Sequence, residues 1–354
     1  MLTCCVAVEQ INRRKLEHVQ HILEDTGCDR GRRDFEQIAL RHRALPELDL
    51  NEVDSSLSFL GRKLRFPLLI SSMTGGDDER LITANRNLAL AAEHCGVALA
   101  VGSQRVQFKQ DAARASFDLR PLAPNALLLA NLGAVQLNLG FGTTEAQEAL
   151  STLDADGLFL HLNPLQEAIQ PEGDVDFSGL ADRIGQLNEE LNSPILIKEI
   201  GCGLSRMDAE LLFARGLRFF DVAGRGGTSW SRIEHHRRQP LIDDDLGLLF
   251  QDWGLPTPRA LMELAPLRER GATLIASGGI RDALDMLKSV ILGASLVGMA
   301  KPFLEPALES AEAVIARIES LERAFRIGMF LLGCRTLHDL HGNEDLLLDP
   351  PELR

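Results

Sequence analysis

The chain lacks any Cys-x-x-Cys pair: its six cysteines, at positions 4, 5, 28, 95, 202 and 334, follow no metal-ligand spacing. That excludes a zinc-ribbon or thioredoxin-like organisation and leaves packing as small hydrophobes in a reducing compartment. Positive charge is scarce. Against 51 Asp and Glu stand 37 Lys and Arg, a net charge of −14, which excludes the overall basic field of a nucleic-acid binder but not a local basic pocket. No apolar run is long enough to span a bilayer; the longest, around Leu287 to Met299, is broken by Lys288, Ser289 and glycines. The stretch from Met1 to Val8 is too short for a signal core, and no cationic segment precedes it. The expectation is a cytoplasmic protein with no membrane or nucleic-acid partner. No linker divides the chain, and 45% hydrophobic with 25% charged residues leaves no signature of disorder.

What is present is a rhythm. Short apolar runs bounded by turn residues recur at Pro67–Ser71, Val97–Val101, Ala126–Ala130, Gly157–Leu160, Pro194–Ile197, Leu217–Val222, Ala272–Ala276 and Ser295–Met299. Such runs read as fully buried parallel strands. Helical stretches separate most of them, at Asn85–Cys95, Thr144–Thr152, Phe177–Leu191, Arg206–Arg215, Arg259–Arg270 and Ala283–Leu292. Alternation of this kind means parallel βαβ units, and eight strands favour a closed (β/α)8 TIM barrel over an open sheet. Residues 1–66 lie outside the repeat as an N-terminal extension packing on or over a barrel of residues 67–354. Within the extension Asn12–Glu24 reads as helix, and Asp29–Arg43 as a second helix or an arm. Ala307–Leu332 reads as one long C-terminal amphipathic helix.

In an α/β barrel the active site is built where strands end, and six successive strand exits here are polar and glycine-rich. The first gives Ser71-Ser72-Met73-Thr74-Gly75-Gly76, the second Gly102-Ser103-Gln104-Arg105, the third Asn131-Leu132-Gly133-Ala134. The next three give His161-Leu162-Asn163-Pro164-Leu165-Gln166-Glu167, Lys198-Glu199-Ile200-Gly201, and Asp221 through Trp230. After the seventh strand, Ser277-Gly278-Gly279-Ile280-Arg281 runs straight into a helix, so that backbone N–H groups and a helix N-terminus can face an anion. With Gly298-Met299-Ala300-Lys301 after the eighth, this is the usual place of a barrel phosphate cup, and FMN is the large ligand expected there.

Lys198 closes a buried strand, where an ammonium needs a partner. A flavin ring is one partner; a salt bridge to Glu199 or Asp221 is the other. His161 and Asn163 point the same way at a strand end, into the barrel mouth or as caps of the following loop. Glu167, in an acidic loop without enough histidines for zinc, suits Mg²⁺ beside a diphosphate, since that ion keeps most of its waters. Near the N-terminus Arg13-Arg14-Lys15-Leu16-Glu17-His18 is a solvated face by composition, or a diphosphate clamp if it folds over the mouth.

Taken together and in this order, the motifs resemble the type 2 isopentenyl diphosphate isomerases. The match carries Arg14-Lys15-x-Glu17-His18, the strand-end segments quoted above, Trp253-Gly254-x-Pro256-Thr257 and Ser277-Gly278-Gly279-Ile280-Arg281, from about residue 12 to about residue 335. The resemblance implies an isomerase of isoprenoid biosynthesis that interconverts isopentenyl and dimethylallyl diphosphate. It implies reduced FMN and Mg²⁺ as cofactors, NADPH only as the flavin's reductant, and homotetramers or octamers. Arg14, Lys15, His18, Ser103, Gln104, Arg105, His161 and Asn163 would then hold the diphosphate or line its pocket. Gln166 would contact the isoprenyl part, with Gln166 and His161 assisting proton transfer and Glu167 holding Mg²⁺. Flavin contacts would come from Ser72, Met73, Thr74, Ser103, Asn131, Lys198, Thr228, Gly278, Gly279, Arg281 and Ala300. Lys301, where arginine is common, and the helix start Asp282-Ala283-Leu284-Asp285 depart mildly from the family pattern.

Two other readings stand beside it. An FMN-dependent oxidoreductase on the same barrel, such as a 2-hydroxy-acid oxidase, would carry a histidine base before Gly226-Gly227, where this chain has Asp221 and Arg225. A dehydrogenase using a catalytic cysteine loop would have to use Cys202. A non-catalytic flavin- or phosphate-binding barrel would bind FMN without turnover.

Overall fold

A computed structural model describes residues 15–31, 34–73, 75–238 and 244–349. A short antiparallel hairpin, β1 (Leu57–Phe59) and β2 (Arg62–Leu64), comes first. Eight strands follow: β3 (Leu68–Ile70), β4 (Ala98–Ala100), β5 (Leu128–Gly133), β6 (Gly157–Leu162), β7 (Ile195–Glu199), β8 (Phe219–Asp221), β9 (Thr273–Ser277) and β10 (Ala294–Met299). Each pairs in parallel with the next, and β10 returns to β3 through Val297–Leu68 and Met299–Ile70, closing the barrel. All eight expected strands are present, because each is apolar on both faces and has somewhere to bury both.

The helices are α1 (residues 15–24), α2 (Glu79–Cys95), α3 (Thr143–Leu153), α4 (Pro164–Ile169), α5 (Leu180–Glu190), α6 (Arg206–Phe213) and α7 (Trp230–Arg238). After them come α8 (Leu246–Leu249), α9 (Thr257–Arg268), α10 (Ala283–Ile291), α11 (Lys301–Glu309), α12 (Ala311–Leu332) and α13 (Leu337–Leu340). α2 shows how these elements are specified. Asp78 caps it by accepting the Arg80 N–H, Gly96 ends it at φ 61°, and Leu81, Ala84, Leu88, Ala92 and Cys95 form its buried stripe.

Two cores result. One lies between the barrel wall and the helices. The other fills the barrel interior, where Leu69, Ala98, Leu129, Phe159, Leu196, Ile275 and Leu296 meet Phe59 and Leu64 of the hairpin. Phe59 packs edge-on against Phe219, the first residue of β8, at 5.9 Å, so the hairpin plugs the end where the strands begin.

Two expectations are corrected. Among its described residues the 29–43 segment is neither a helix nor a free arm: a 3₁₀ turn, Asp34–Gln37, and isolated bridges from Asp29 to Thr228 and Leu40 to Leu347 lay it along the barrel. Ala307–Leu332 is not one helix. Ser310 is extended and caps α12 through the Ala313 N–H at 3.2 Å, so the chain breaks between α11 and α12. The β1–β2 hairpin and α7 were not anticipated. Among the described residues no helix is long and apolar enough to cross a membrane.

Candidate active site

The carboxyl ends of β3 to β10 open into one cavity of about 230 Å³. Ser72, Met73, Ser103, Arg105, Asn131, His161, Asn163, Gln166, Glu167, Lys198, Thr228, Gly278, Gly279, Arg281 and Ala300 all line it. From α1, Lys15 and His18 reach the same space. Arg14 and Thr74, like Cys4 and Cys5, lie outside the described residues. Gln104 is the exception. Its side chain is fully buried, donates to Ala149 O at 2.9 Å and Gln107 Oε1 at 3.2 Å, and accepts the Asn131 N–H at 3.0 Å. It pins the loop after β4 to β5 and α3, and it does not line the cavity.

Lys198 and Asp221 are register partners on β7 and β8. The ammonium donates to Asp221 Oδ2 at 2.8 Å and to Ser277 Oγ at 3.2 Å, while the serine hydroxyl donates to Asp221 Oδ1 at 2.6 Å. The salt bridge is therefore real, with Asp221 as the partner, yet Lys198 still faces the cavity. Glu199, next along the strand, points to the other side. Its Oε2 accepts N–H groups from Ile200 at 2.7 Å, Gly201 at 2.6 Å, Cys202 at 2.5 Å and Gly203 at 3.2 Å. Burial pushes this carboxyl up, and the four N–H groups oppose the shift.

On the neighbouring wall His161 Nδ1 meets Asn131 Oδ1 at 2.7 Å, and Asn131 Nδ2 donates to Ser72 Oγ at 2.7 Å. The α4 start gives a second network. Asn163 Nδ2 donates to Glu167 Oε1 at 2.8 Å and to Gln166 Oε1 at 3.2 Å, and Asp174 N donates to Glu167 Oε2 at 2.7 Å. Asn163 Oδ1 is buried with no partner. Gln166 Nε2 donates to Glu234 Oε1 at 2.9 Å; His18 Nε2 meets the same oxygen at 3.0 Å, and Arg237 donates to Oε2. Burial pushes the Glu234 carboxyl up, but the charge and hydrogen bond of His18, the charge of Arg237 and the hydrogen bond of Gln166 outweigh it and hold the group at about 2.

The phosphate cup differs in detail from expectation. The N-terminus of α10 is occupied, since Asp282 accepts the Leu284 and Asp285 N–H groups and Asp285 accepts that of Arg281. The N-terminus of α11 carries no side-chain cap, and Ala300, Lys301 and Pro302 line the cavity there. Gly278 and Gly279 have φ of 93° and 75°, and a Cβ on Gly278 would strike the Gly224 carbonyl, so only glycine lets this loop approach so closely. Above it Asp29 bridges Arg281 and Lys301, the latter at 3.1 Å. A carboxylate thus sits between the two side-chain cations best placed to meet a phosphate.

The sequence profile of the FMN-dependent dehydrogenase family matches residues 7–125 and 162–347. An isopentenyl-diphosphate delta-isomerase of Paracoccus zeaxanthinifaciens is 56% identical, covering 94% of this chain and 96% of its own. One from Hydrogenovibrio crunogenus is 52% identical over 96% and 98% of the two chains. The chain belongs to the isopentenyl-diphosphate delta-isomerase family. Solved structures similar in fold to this isomerase-family chain include the flavin-binding domain of baker's yeast flavocytochrome b2, with TM-score 0.64, 18% identity, and coverage of 90% of this chain and 76% of that one. A mandelate oxidase gives TM-score 0.57 at 17% identity, covering 85% and 84%.

Some site residues of this isomerase-family chain were not foreseen. Val19 and Ile22 give the cavity an apolar wall from α1, and Trp230 another from α7. Glu234, behind Gln166, was missed because nothing in the charged stretch that becomes α7 marks one side chain as buried. The available signal was a single acid within a run of basic residues, one turn after a tryptophan at a strand exit.

Proposed function

We propose that this protein is a cytoplasmic isomerase that interconverts isopentenyl and dimethylallyl diphosphate in isoprenoid biosynthesis, using reduced FMN. The observation that carries the reading is Gln166. Its amide is fixed from both ends, by Asn163 and by the buried Glu234, between cations suited to a diphosphate and an apolar wall suited to an isoprenyl group.

The residues present fit FMN. Gly278 and Gly279 form a cradle that a Cβ would fill, the α11 N-terminus has no side-chain cap, and Ser71 Oγ is buried at the cavity without a partner. They also fit Mg²⁺: the Glu167 carboxylate lines the cavity beside Asn163, whose Oδ1 is buried without a partner, and one or two such oxygens suffice for an ion that keeps several waters. Reduced FMN, when bound, supplies the acid–base and electron-donating chemistry that moving a double bond without net oxidation requires. The chain's own residues position and shield. Lys15 and Arg105 bring charge to the diphosphate end, held by Ser103 O at 2.9 Å and Asp174 at 2.7 Å. His161 is oriented by Asn131, and Gln166 by Glu234. Val19, Ile22 and Trp230 exclude water from the carbon that gains or loses a proton, where a cation-like transition state is favoured by a dry, preorganised site.

NADPH as flavin reductant, assembly as a homotetramer or octamer, and residues 1–66 acting as an extension closed over the barrel all belong to this reading. The oxidoreductase alternative is less favoured because Arg225, not a histidine, stands before Gly226-Gly227, and its guanidinium donates to Asp252 O at 3.2 Å. The deciding assay is conversion of isopentenyl to dimethylallyl diphosphate with FMN, Mg²⁺ and reductant each omitted in turn. Turnover that needs reduced flavin but consumes no stoichiometric reductant is the expected result. FMN binding without turnover would leave the binding-protein reading.

A further inference from the structure

We propose that Asp25, Cys28 and His236 form a site for a zinc-class divalent cation, separate from the active-site cavity, that ties α1 to α7. Asp25 directly follows α1 and accepts the Gly27 N–H at 2.8 Å, which folds the chain into the 3₁₀ turn carrying Cys28. His236 comes from the last turn of α7. Its Nε2 lies 2.7 Å from Asp25 Oδ2, and the Cys28 thiol donates to that same oxygen at 3.6 Å. One ligand atom from each of the three residues lies within 4.8 Å of the other two. Zinc bonds run about 2.0–2.2 Å to oxygen and nitrogen and about 2.3 Å to sulfur. One cation can therefore stand where three hydrogen bonds, from His236, Cys28 and Arg232, now converge on a single oxygen.

The donor set fixes the class of ion. Thiolate with imidazole and one carboxylate suits Zn²⁺, whereas Mg²⁺ prefers oxygen alone. Burial pushes the Cys28 thiol up to about 12, so it carries its proton until a cation arrives. Binding forms one metal–sulfur, one metal–nitrogen and one metal–oxygen bond. The thiol proton leaves to solvent, and the imidazole keeps one proton, moved from Nε2 to Nδ1. Arg232 now forks across the carboxylate, with Nε on Oδ2 at 2.6 Å and Nη2 on Oδ1 at 3.3 Å. It yields the first of these contacts and keeps the second, together with Gln251 Oε1 at 2.9 Å. Asp25 and His236 are partly exposed, so water reaches the open position.

The location gives the site a purpose. α1 brings Lys15, His18, Val19 and Ile22 to the cavity, while α7 brings Trp230 and, behind Gln166, Glu234. A cation at the far end of α1 would hold that wall against the barrel.

The test is equilibrium dialysis of the metal-stripped, FMN-loaded protein against Zn²⁺, with bound metal counted per chain and its ligands read by X-ray absorption. One zinc with a single sulfur ligand is expected. Binding should weaken at least tenfold in Cys28→Ser and in His236→Gln, and persist in a Cys4→Ser/Cys5→Ser control. Zinc should also slow proteolysis near the N-terminus of the wild type and not of Cys28→Ser. Absence of bound zinc, or zinc held equally well by Cys28→Ser, would overturn the site and leave Asp25 as the anchor of an Arg232–His236 ion-pair network. Zinc bound through these ligands without protection would overturn the tie between the helices.

Discussion

Glu234 has no exposed side-chain surface, and three donors from three different elements converge on it: His18, Arg237 and Gln166. Removing the carboxylate leaves Arg237 with only Glu17 and Glu172, at the more exposed end of the network, and breaking a buried ion pair costs about 3–5 kcal/mol. Glu234→Gln is expected to lose roughly 3 kcal/mol of stability in urea unfolding, and to lower turnover by releasing Gln166. The acid side gives a sharper check. The carboxyl titrates at about 2 in the folded chain against an ordinary 4.5, so its contribution is whole above 4.5 and drains away as pH falls through about 2. In Glu234→Gln the fall of stability between those two pH values should be shallower than in the wild type. Gln166→Ala is expected to abolish turnover while leaving FMN affinity, read by quenching of flavin fluorescence, within about twofold, because the amide touches side chains around α4 and α7 and not the phosphate cup. The place of Lys198 at the cavity was legible because a charged side chain closing a buried strand has few other reasons to be there, and Gln166 and Glu167 were found through the polar stretch that follows β6. Glu234 was not. A stretch as charged as Trp230–Arg238 carries no apolar stripe to show which side it buries. Gln104 failed in the opposite sense: its neighbours Ser103 and Arg105 face the cavity, and the 3₁₀ turn beginning at Gln104 rotates it inward.

Among the elements, the strands were read correctly in number and order, since parallel barrel strands are apolar on both faces and interrupt the helical period cleanly. What stayed hidden were the features set by tertiary partners. Neither the β1–β2 hairpin nor the break at Ser310 has a hydrophobic period strong enough to announce it; each is specified by what it packs on. The helix N-termini teach a similar lesson. Gly-Gly before α10 marks the cup, but Asp282 has already taken that helix's N–H groups, so α11 presents the one without a side-chain cap. Gly278→Ala puts a Cβ into the Gly224 carbonyl at a φ that L-residues resist. We expect FMN affinity to fall at least tenfold, about 1.4 kcal/mol, with the far-ultraviolet dichroism unchanged. Asp29→Asn should do the reverse. By withdrawing the carboxylate that holds Arg281 and Lys301, it is expected to tighten FMN binding severalfold, measured by the same titration.

At the scale of the whole molecule, the barrel separates what stabilises from what reacts: packed side chains fill one end, and the strand exits form the other. Phe59→Ala would hollow out the packed end. A loss of about 3–5 kcal/mol is expected in thermal or denaturant unfolding, with the KM of the folded enzyme unchanged. That same hairpin has a kinetic consequence. With the interior filled from Phe59 up to the strand exits, the described residues leave no back entrance to the barrel. A donor of electrons to a flavin in the cavity would then enter as the diphosphate does, from the strand-exit side that α1 lines. The two visitors must queue. In stopped-flow mixing, flavin reduction should slow as the diphosphate approaches saturation, and an enzyme already reduced should turn over many substrates before it needs to admit a donor again.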